Sequence, residues 1–300
     1  MSAPRIGFLG FGEVGQRFAA DLRAREGDRK LFAFDLLLHQ AAGEGMRRHA
    51  DSNRVEPLTE VAGINENCDV IFSAVTADQT LIAARSICAG PLSGKWLIDL
   101  NSAAPATKIE CAAAVAHAGG RYLEAAVMTS VPPHGIRVPM LLGGPHAQAG
   151  EELLRSLGFS AETVSADLGV ASAIKLCRSV IIKGLESLVV ESYTAARAFG
   201  VEARVLESLA ETYPQFNWEK QGDYLFSRVI QHGKRRAEEM RASAQMIDST
   251  RPGGVMAAAI AVRQDSIAKL RADGAIKDPL ELHPWRERAD EILAATPHGK

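Results

Sequence analysis

The chain opens with a short apolar run, Ile6-Gly7-Phe8-Leu9, that breaks into Gly10-Phe11-Gly12-Glu13-Val14-Gly15 and continues as a helical pattern to Leu22. No other stretch limits the fold so tightly. A strand, a glycine-rich turn and a helix in that order open a nucleotide-binding βαβ unit. Gly10 permits the tight turn, Gly12 lets the backbone approach a pyrophosphate, and Gly15 lets the helix pack close on the strand. The helix start offers unpaired N–H groups and the positive end of its dipole to phosphates. Phe11 and Val14 belong to the same turn. Glu13 favours the dipole but would repel a pyrophosphate from inside the turn, so it is expected to point aside. About twenty residues past Gly15, Asp35 closes a second apolar run, Leu31-Phe32-Ala33-Phe34. A carboxylate there accepts hydrogen bonds from ribose hydroxyls and repels a 2′-phosphate. The following Leu36-Leu37-Leu38 supplies no arginine for such a phosphate, so NAD is expected over NADP.

Composition excludes several classes. Three hundred residues suffice for two domains, and 47% hydrophobic content with a net charge of −2 gives no pull towards nucleic acid. The most basic run, Lys234-Arg235-Arg236, is followed by Glu238-Glu239 and reads as a solvated helix face. No apolar run approaches the about 18 residues of a membrane span, and the first apolar run is itself a strand rather than a targeting signal. A cytoplasmic protein with neither nucleic-acid nor membrane partners is expected. The four cysteines, Cys68, Cys88, Cys111 and Cys177, lack C-x-x-C spacing and read as small buried hydrophobes in a reducing compartment. The eight histidines form no H-x-x-x-H or His/Cys cluster, so no metal is expected.

Strand patterns over 6–9, 31–34, 70–74, 96–99, 122–126 and 140–142 alternate with helical stretches, notably 77–89, 105–117 and 145–157. Such alternation predicts an α/β Rossmann domain, a mostly parallel doubly wound sheet, over residues 1–165. Beyond Val164 the pattern turns wholly helical: one long helix over 168–199, then 202–212, 222–251, 254–272 and 284–295. An all-helical domain over 166–300 is therefore expected.

At about 100° per residue, Lys175, Arg178, Ser179, Ile182 and Glu186 share one side of the long helix. Most other positions are apolar, among them Ile174, Leu176, Val180, Ile181, Leu185, Leu188 and Val189, and a helix apolar nearly all round is expected to be buried. Lys175 and Ser179 stand one turn apart, so their side chains can meet. A lysine on such a helix needs a partner or a cavity. Facing a crevice of low dielectric, its pKa would fall and suit it to proton transfer; the plain alternative is a lysine reaching solvent or paired with Glu186.

Several segments together resemble the β-hydroxyacid dehydrogenase family, which includes 3-hydroxyisobutyrate and 6-phosphogluconate dehydrogenases. Besides the glycine turn, they are Asp69-Val70-Ile71-Phe72-Ser73-Ala74-Val75-Thr76-Ala77 and Asp99-Leu100-Asn101-Ser102-Ala103-Ala104-Pro105-Ala106-Thr107, similar to the family's D-x-S-T-x-x-P-x-T. Glu124-Ala125-Ala126-Val127-Met128-Thr129-Ser130 is similar to its D-A-P-V-S-G-G substrate loop, and Gly169–Lys175 to its G-x-G-x-x-x-K. The helical half is most similar to a subgroup with a C-terminal domain like that of 6-phosphogluconate dehydrogenases.

The resemblance implies Lys175 as general acid/base, Val75, Thr76 and Asn101 at the cofactor, Met128, Thr129 and Ser130 at the substrate, and a homodimer. Departures accompany it. Ser179 stands where the family has the asparagine that orients the substrate, His232 stands roughly where it has a lysine near the active site and so is a second expected substrate contact, and Pro132-Pro133 stiffens the loop after Ser130. The expected activity is hydride transfer between a nicotinamide cofactor and a primary or secondary alcohol of a hydroxyacid-like substrate, the stiffer loop suiting one larger or less acidic than a simple 3-hydroxy acid. Imine reduction, which usually lacks the lysine, and oxidative decarboxylation of a sugar acid are rival chemistries; a non-catalytic NAD sensor is the rival of another kind.

Overall fold

The structure, a computed structural model, describes residues 3–250 and 253–296. β1 (Ile6–Leu9), α1 (Glu13–Arg25) and β2 (Leu31–Phe34) are followed by α2 (Glu44–Ser52), β3 (Val55–Pro57), α3 (Val61–Asn67) and β4 (Val70–Ser73). α4 (Thr80–Ile87), β5 (Trp96–Asp99), α5 (Pro105–His117) and β6 (Arg121–Val127) continue the alternation. The one-turn α6 (Val131–His134), β7 (Met140–Gly143), α7 (Ala147–Ser156) and β8 (Ala161–Ser165) complete the sheet region.

The strands lie in the order β3-β2-β1-β4-β5-β6-β7-β8, and only β6 and β7 pair antiparallel. Strand order reverses between β1 and β4, and open sheets of this kind bind ligands in the crevice beyond the strand ends there. The registers Leu9↔Phe34, Leu9↔Ser73 and Ser73↔Asp99 set the carboxyl ends of β2, β1, β4 and β5 at one level. Ile6, Phe8, Phe72 and Ile98 bury one face of the sheet, and Leu9, Ile71, Leu97 and Tyr122 the other. Burial on both faces is why the central strands read as unbroken apolar runs.

Two strands, β3 and β8, lack that signature. They are the sheet's edges, short and half exposed, and Pro57 is tolerated in β3 because an edge strand need not donate on both sides.

The remaining helices are α8 (Val170–Phe199), α9 (Glu202–Thr212), α10 (Trp218–Asp248), α11 (Val255–Ala272) and α12 (Trp285–Ala295). Among the described residues no strand follows β8, and no helix is long and apolar enough to cross a membrane. The chain divides into two compact units, Met1–Lys175 and Leu176–Lys300. The division falls inside α8 rather than after the last strand, because the first turn of that helix is tied to the sheet. The expected end at Arg251 of the third helix in the helical half lies outside the described residues; α10 ends at Asp248 and begins at Trp218, where the Asn217 side chain accepts the Lys220 N–H at 3.0 Å. Gly222 is a close-packing position: a Cβ there would stand 2.7 Å from Trp285 and 2.9 Å from Tyr193. Those rings, with Phe226 and Val229, form the core of the helical unit.

Three expectations need correction. The Lys234–Glu239 run is a solvated face only in part: Lys234 and Arg235 are exposed, whereas Arg236 and Glu239 are buried. The apolar residues of α8 are not all buried: Ile181 is 74% exposed and Leu188 58%. Of the cysteines, only Cys68 and Cys111 are buried, where desolvation pushes their thiols up to about 12; Cys177 is exposed on α8.

Candidate active site

The glycine turn stands at the carboxyl end of β1. Gly10 has φ +89°, and a Cβ there would lie 2.5 Å from the Ala74 carbonyl oxygen, so no other residue fits. A Cβ at Gly15 would lie 2.9 Å from the Gly10 carbonyl oxygen, whereas one at Gly12 would meet nothing within 4 Å. Protein packing therefore does not demand glycine at position 12; the bare outer side of that backbone is what a diphosphate requires. Glu13 is exposed in the first turn of α1. Val14 is half-buried.

Asp35, just past β2, accepts the Phe11 N–H at 2.8 Å through one carboxylate oxygen and the Leu37 N–H at 2.9 Å through the other. It thus braces the turn, and each oxygen keeps a lone pair for a further donor. Open backbone at Gly12, a helix N-terminus and this carboxylate together fit a dinucleotide.

The loops after β4 and β5 interlock. The Asn101 side chain accepts the Val75 N–H at 2.7 Å and donates to Ser73 Oγ at 3.0 Å, while its own N–H donates to Asp99 at 2.9 Å. Asp99 is itself buried against Lys108 Nζ at 2.8 Å and the Tyr122 hydroxyl at 2.6 Å. Burial, with Asp99 alongside, pushes the Tyr122 phenol well above its ordinary range, so it stays a donor. Lys108 was not singled out from the sequence. The signal was present, because it lies one turn before Cys111 and Ala112 and two before Val115, on the inward stripe of α5. Thr76 is exposed, its hydroxyl donating to Asp78 at 2.6 Å.

After β6, the Met128 N–H donates to the Pro139 carbonyl at 3.0 Å, and Thr129 and Ser130 are exposed. The stiffness expected of Pro132-Pro133 takes the form of α6, in whose first turn a missing N–H is harmless. Gly135, at φ +56°, ends it; a Cβ there would run into Asp21 of α1, whose carboxylate accepts the Ile136 N–H at 2.9 Å.

Glu124, fully buried on β6, accepts the Gly169 and Ser172 N–H groups at 2.6 Å each. This carboxylate caps α8 at the positive end of its dipole. One turn on, Lys175 Nζ donates to Ser102 Oγ at 2.7 Å. Ser102, beside Asn101, is a partner that helix geometry alone did not suggest.

In the helical unit, Ser179 is buried and accepts from Lys183 Nζ at 3.1 Å. Lys183 pairs with Glu239 at 2.9 Å, as does Arg235 at 2.8 Å. Glu186, which the sequence offered as a partner for Lys175, is buried against Arg236; desolvation raises its pKa, with Arg236 pulling the other way. His232 is half-buried, its Nε2 3.0 Å from Arg228 Nη1. Burial and the neighbouring Arg228, Arg235, Arg236 and Arg271 push it down to about 4.

Residues 5–151 match the NAD binding domain of 6-phosphogluconate dehydrogenase, and residues 196–267 match a domain of unknown function, DUF1932. A conserved hypothetical protein from Sinorhizobium meliloti 1021 is 37% identical over 98% of this chain and 97% of its own, with a TM-score of 0.72. The conserved protein MTH1747, of unknown function and described as structurally similar to 3-hydroxyacid dehydrogenases, is 28% identical over 90% of this chain and 99% of its own, with a TM-score of 0.67. A Mycobacterium tuberculosis 3-hydroxyisobutyrate dehydrogenase shares the fold at 16% identity, covering 98% of this chain and 99% of its own, with a TM-score of 0.68. With its glycine turn, its doubly wound sheet and its helical second unit, the chain belongs to the β-hydroxyacid dehydrogenase family, with an NAD binding domain of the 6-phosphogluconate dehydrogenase kind.

Proposed function

We propose that the protein is an NAD-dependent oxidoreductase that moves a hydride between nicotinamide and the alcohol carbon of a hydroxyacid-like substrate, with Lys175 as general acid/base. The observation that carries this reading is the 2.7 Å hydrogen bond from Lys175 Nζ to Ser102 Oγ, which fixes the amine beside the interlocked loops after β4 and β5. When bound, nicotinamide supplies or accepts the hydride. Gly10, Phe11, Gly12, Glu13 and Val14 would hold the diphosphate, Asp35 the adenosine ribose, and Val75, Thr76 and Asn101 the nicotinamide end. Lys175 Nζ takes the hydroxyl proton on oxidation and returns it on reduction. Met128, Thr129 and Ser130 would hold the substrate, helped by Ser179, one turn beyond Lys175 on the same helix, and by His232.

NAD is preferred in this reading because Asp35 is followed by exposed Leu36 and Leu37 instead of a cation. A cytoplasmic setting suits four unpaired cysteines. A homodimer is supported by exposed apolar side chains on the helical unit, Ile181 and Leu188 on α8 and Val255, Met256 and Val262 on α11.

The deciding experiment compares the wild type with Lys175→Met on a panel of hydroxy acids and aryl alcohols, following NADH. A kcat lower by about 10²–10⁴ with NAD binding intact is expected of a lost general acid/base. Near-normal turnover by the variant overturns the role. A wild type that binds NAD tightly and turns over nothing on the panel marks a sensor instead.

A further inference from the structure

Positive charge in the helical unit is left over once its carboxylates are assigned. Glu186 is taken by Arg236, with Gln264 at 3.4 Å. Glu239 is shared by Lys183 and Arg235. Arg271 donates to the carbonyls of Ile230 and Gln231. Among the described residues, no carboxylate forms an ion pair with Arg228; Glu186, already bound to Arg236, is near enough only to be felt through space. The half-buried Arg228 guanidinium donates to His232 Nε2 at 3.0 Å, lies 6.0 Å from the centre of the Tyr224 ring, and has a buried Nε with no acceptor. Burying charge without a counter-charge is unfavourable. Folds retain such groups where a ligand supplies what is missing.

The pair has a defined chemistry. A guanidinium is a donor only, so His232 Nε2 accepts and the ring proton sits on Nδ1. Burial, aided by the surrounding cations, keeps the ring neutral near physiological pH. His232 Nδ1–H therefore remains as a donor beside the unused N–H groups of Arg228. Positions 224, 228 and 232 follow one stripe of α10, so the exposed ring of Tyr224 flanks the same spot. A guanidinium fork matches two oxygens of a carboxylate or phosphate.

We infer that Arg228 and His232 form an oxyanion-binding site in the helical unit, built to take a carboxylate or phosphate group. It rests on the reading of His232 as a substrate contact and deepens it; because neither NAD nor turnover enters the test, its failure is distinguishable from failure of the hydride-transfer reading.

Inorganic phosphate and propionate are titrated separately into the full-length protein at constant ionic strength. The His232 ring nitrogens are followed by NMR, affinity by calorimetry and stability by melting temperature. A saturable shift at His232 and a rise in Tm are expected, as for any ligand that binds only the folded state. Saturation by phosphate alone assigns a phosphate-bearing ligand, and by propionate alone an organic acid. Arg228→Gln should raise the Kd at least tenfold, the worth of a hydrogen bond to a charged group, while the anion-free Tm holds or rises. Arg228→Lys should keep part of the affinity. If Arg228→Gln fails to fold, His232→Gln carries the test, with the same tenfold loss by calorimetry. No saturable shift with either anion, or variants that bind phosphate as tightly as the wild type, overturns the inference.

Discussion

Glu124 holds Ser172: the buried carboxylate on β6 accepts the backbone N–H of the other residue at 2.6 Å, in the first turn of α8. With the matching bond to Gly169, it sets where the helix starts and so where Lys175 sits one turn later. Glu124→Gln keeps one acceptor and loses the charge. Unfolding in urea should show a loss of about 1–3 kcal/mol, the scale of a disrupted buried charge-assisted bond. Turnover should fall more than NAD affinity does, because the helix rather than the glycine turn is displaced. An unchanged urea midpoint would refute the capping role.

The pair of Asp99 and Lys108 beneath the β5 loop should behave as a closed buried ion pair. Lys108→Met alone strands a buried carboxylate and should destabilise by about 3–5 kcal/mol. Combining it with Asp99→Asn should recover much of that loss, and a double-mutant cycle measures the coupling. Additive losses would show that the two groups act separately.

Asp35 carries two duties, and variants can separate them. Asp35→Asn retains an oxygen acceptor for the turn, whereas Asp35→Ala leaves the Phe11 and Leu37 N–H groups without their carboxylate. Asn should weaken NAD binding while gaining on NADP; Ala should weaken both, by about tenfold or more for a lost charge-assisted bond. Calorimetry with each cofactor reads the difference. Equal binding of NAD by all three proteins would remove Asp35 from cofactor recognition.

His232 makes a pH prediction. Its folded value is pushed down to about 4 from an unfolded value of about 6.5. Between those values the unfolded chain binds more protons, so stability from this group falls as pH drops from 6.5 towards 4 and is constant above 6.5. In anion-free buffer, His232→Gln should flatten that part of the stability profile, measured by denaturation at intervals across the window. A variant whose profile keeps the wild-type slope would show the imidazole titrating normally.

The central strands and the glycine turn were legible because burial on both faces and a demand for positive φ leave direct marks on residue type. β3 and β8 were not, since edge strands are relieved of both constraints. Lys175 stood out as a cation on an apolar helix, but its partner Ser102 is 73 residues away, and nothing local announces such a pairing. The Arg236–Glu239 region misled for a related reason. Adjacent opposite charges look like a surface, yet Arg236 finds Glu186 50 residues away on another helix. Lys108 was readable from its place on the inward stripe of α5, against the habit of assigning lysine to solvent.

Gly135 has a consequence for how this protein can diversify. Any side chain there collides with Asp21, which also holds the Ile136 N–H and Arg17 of α1. A mutation at Gly135 therefore disturbs the helix behind the phosphate turn, and α6 before it is already occupied by two prolines. Of the three residues upstream, proposed above to hold the substrate, Thr129 and Ser130 face solvent with no internal packing to preserve. Selection or design acting on this loop therefore has a narrow window in which change costs the fold little.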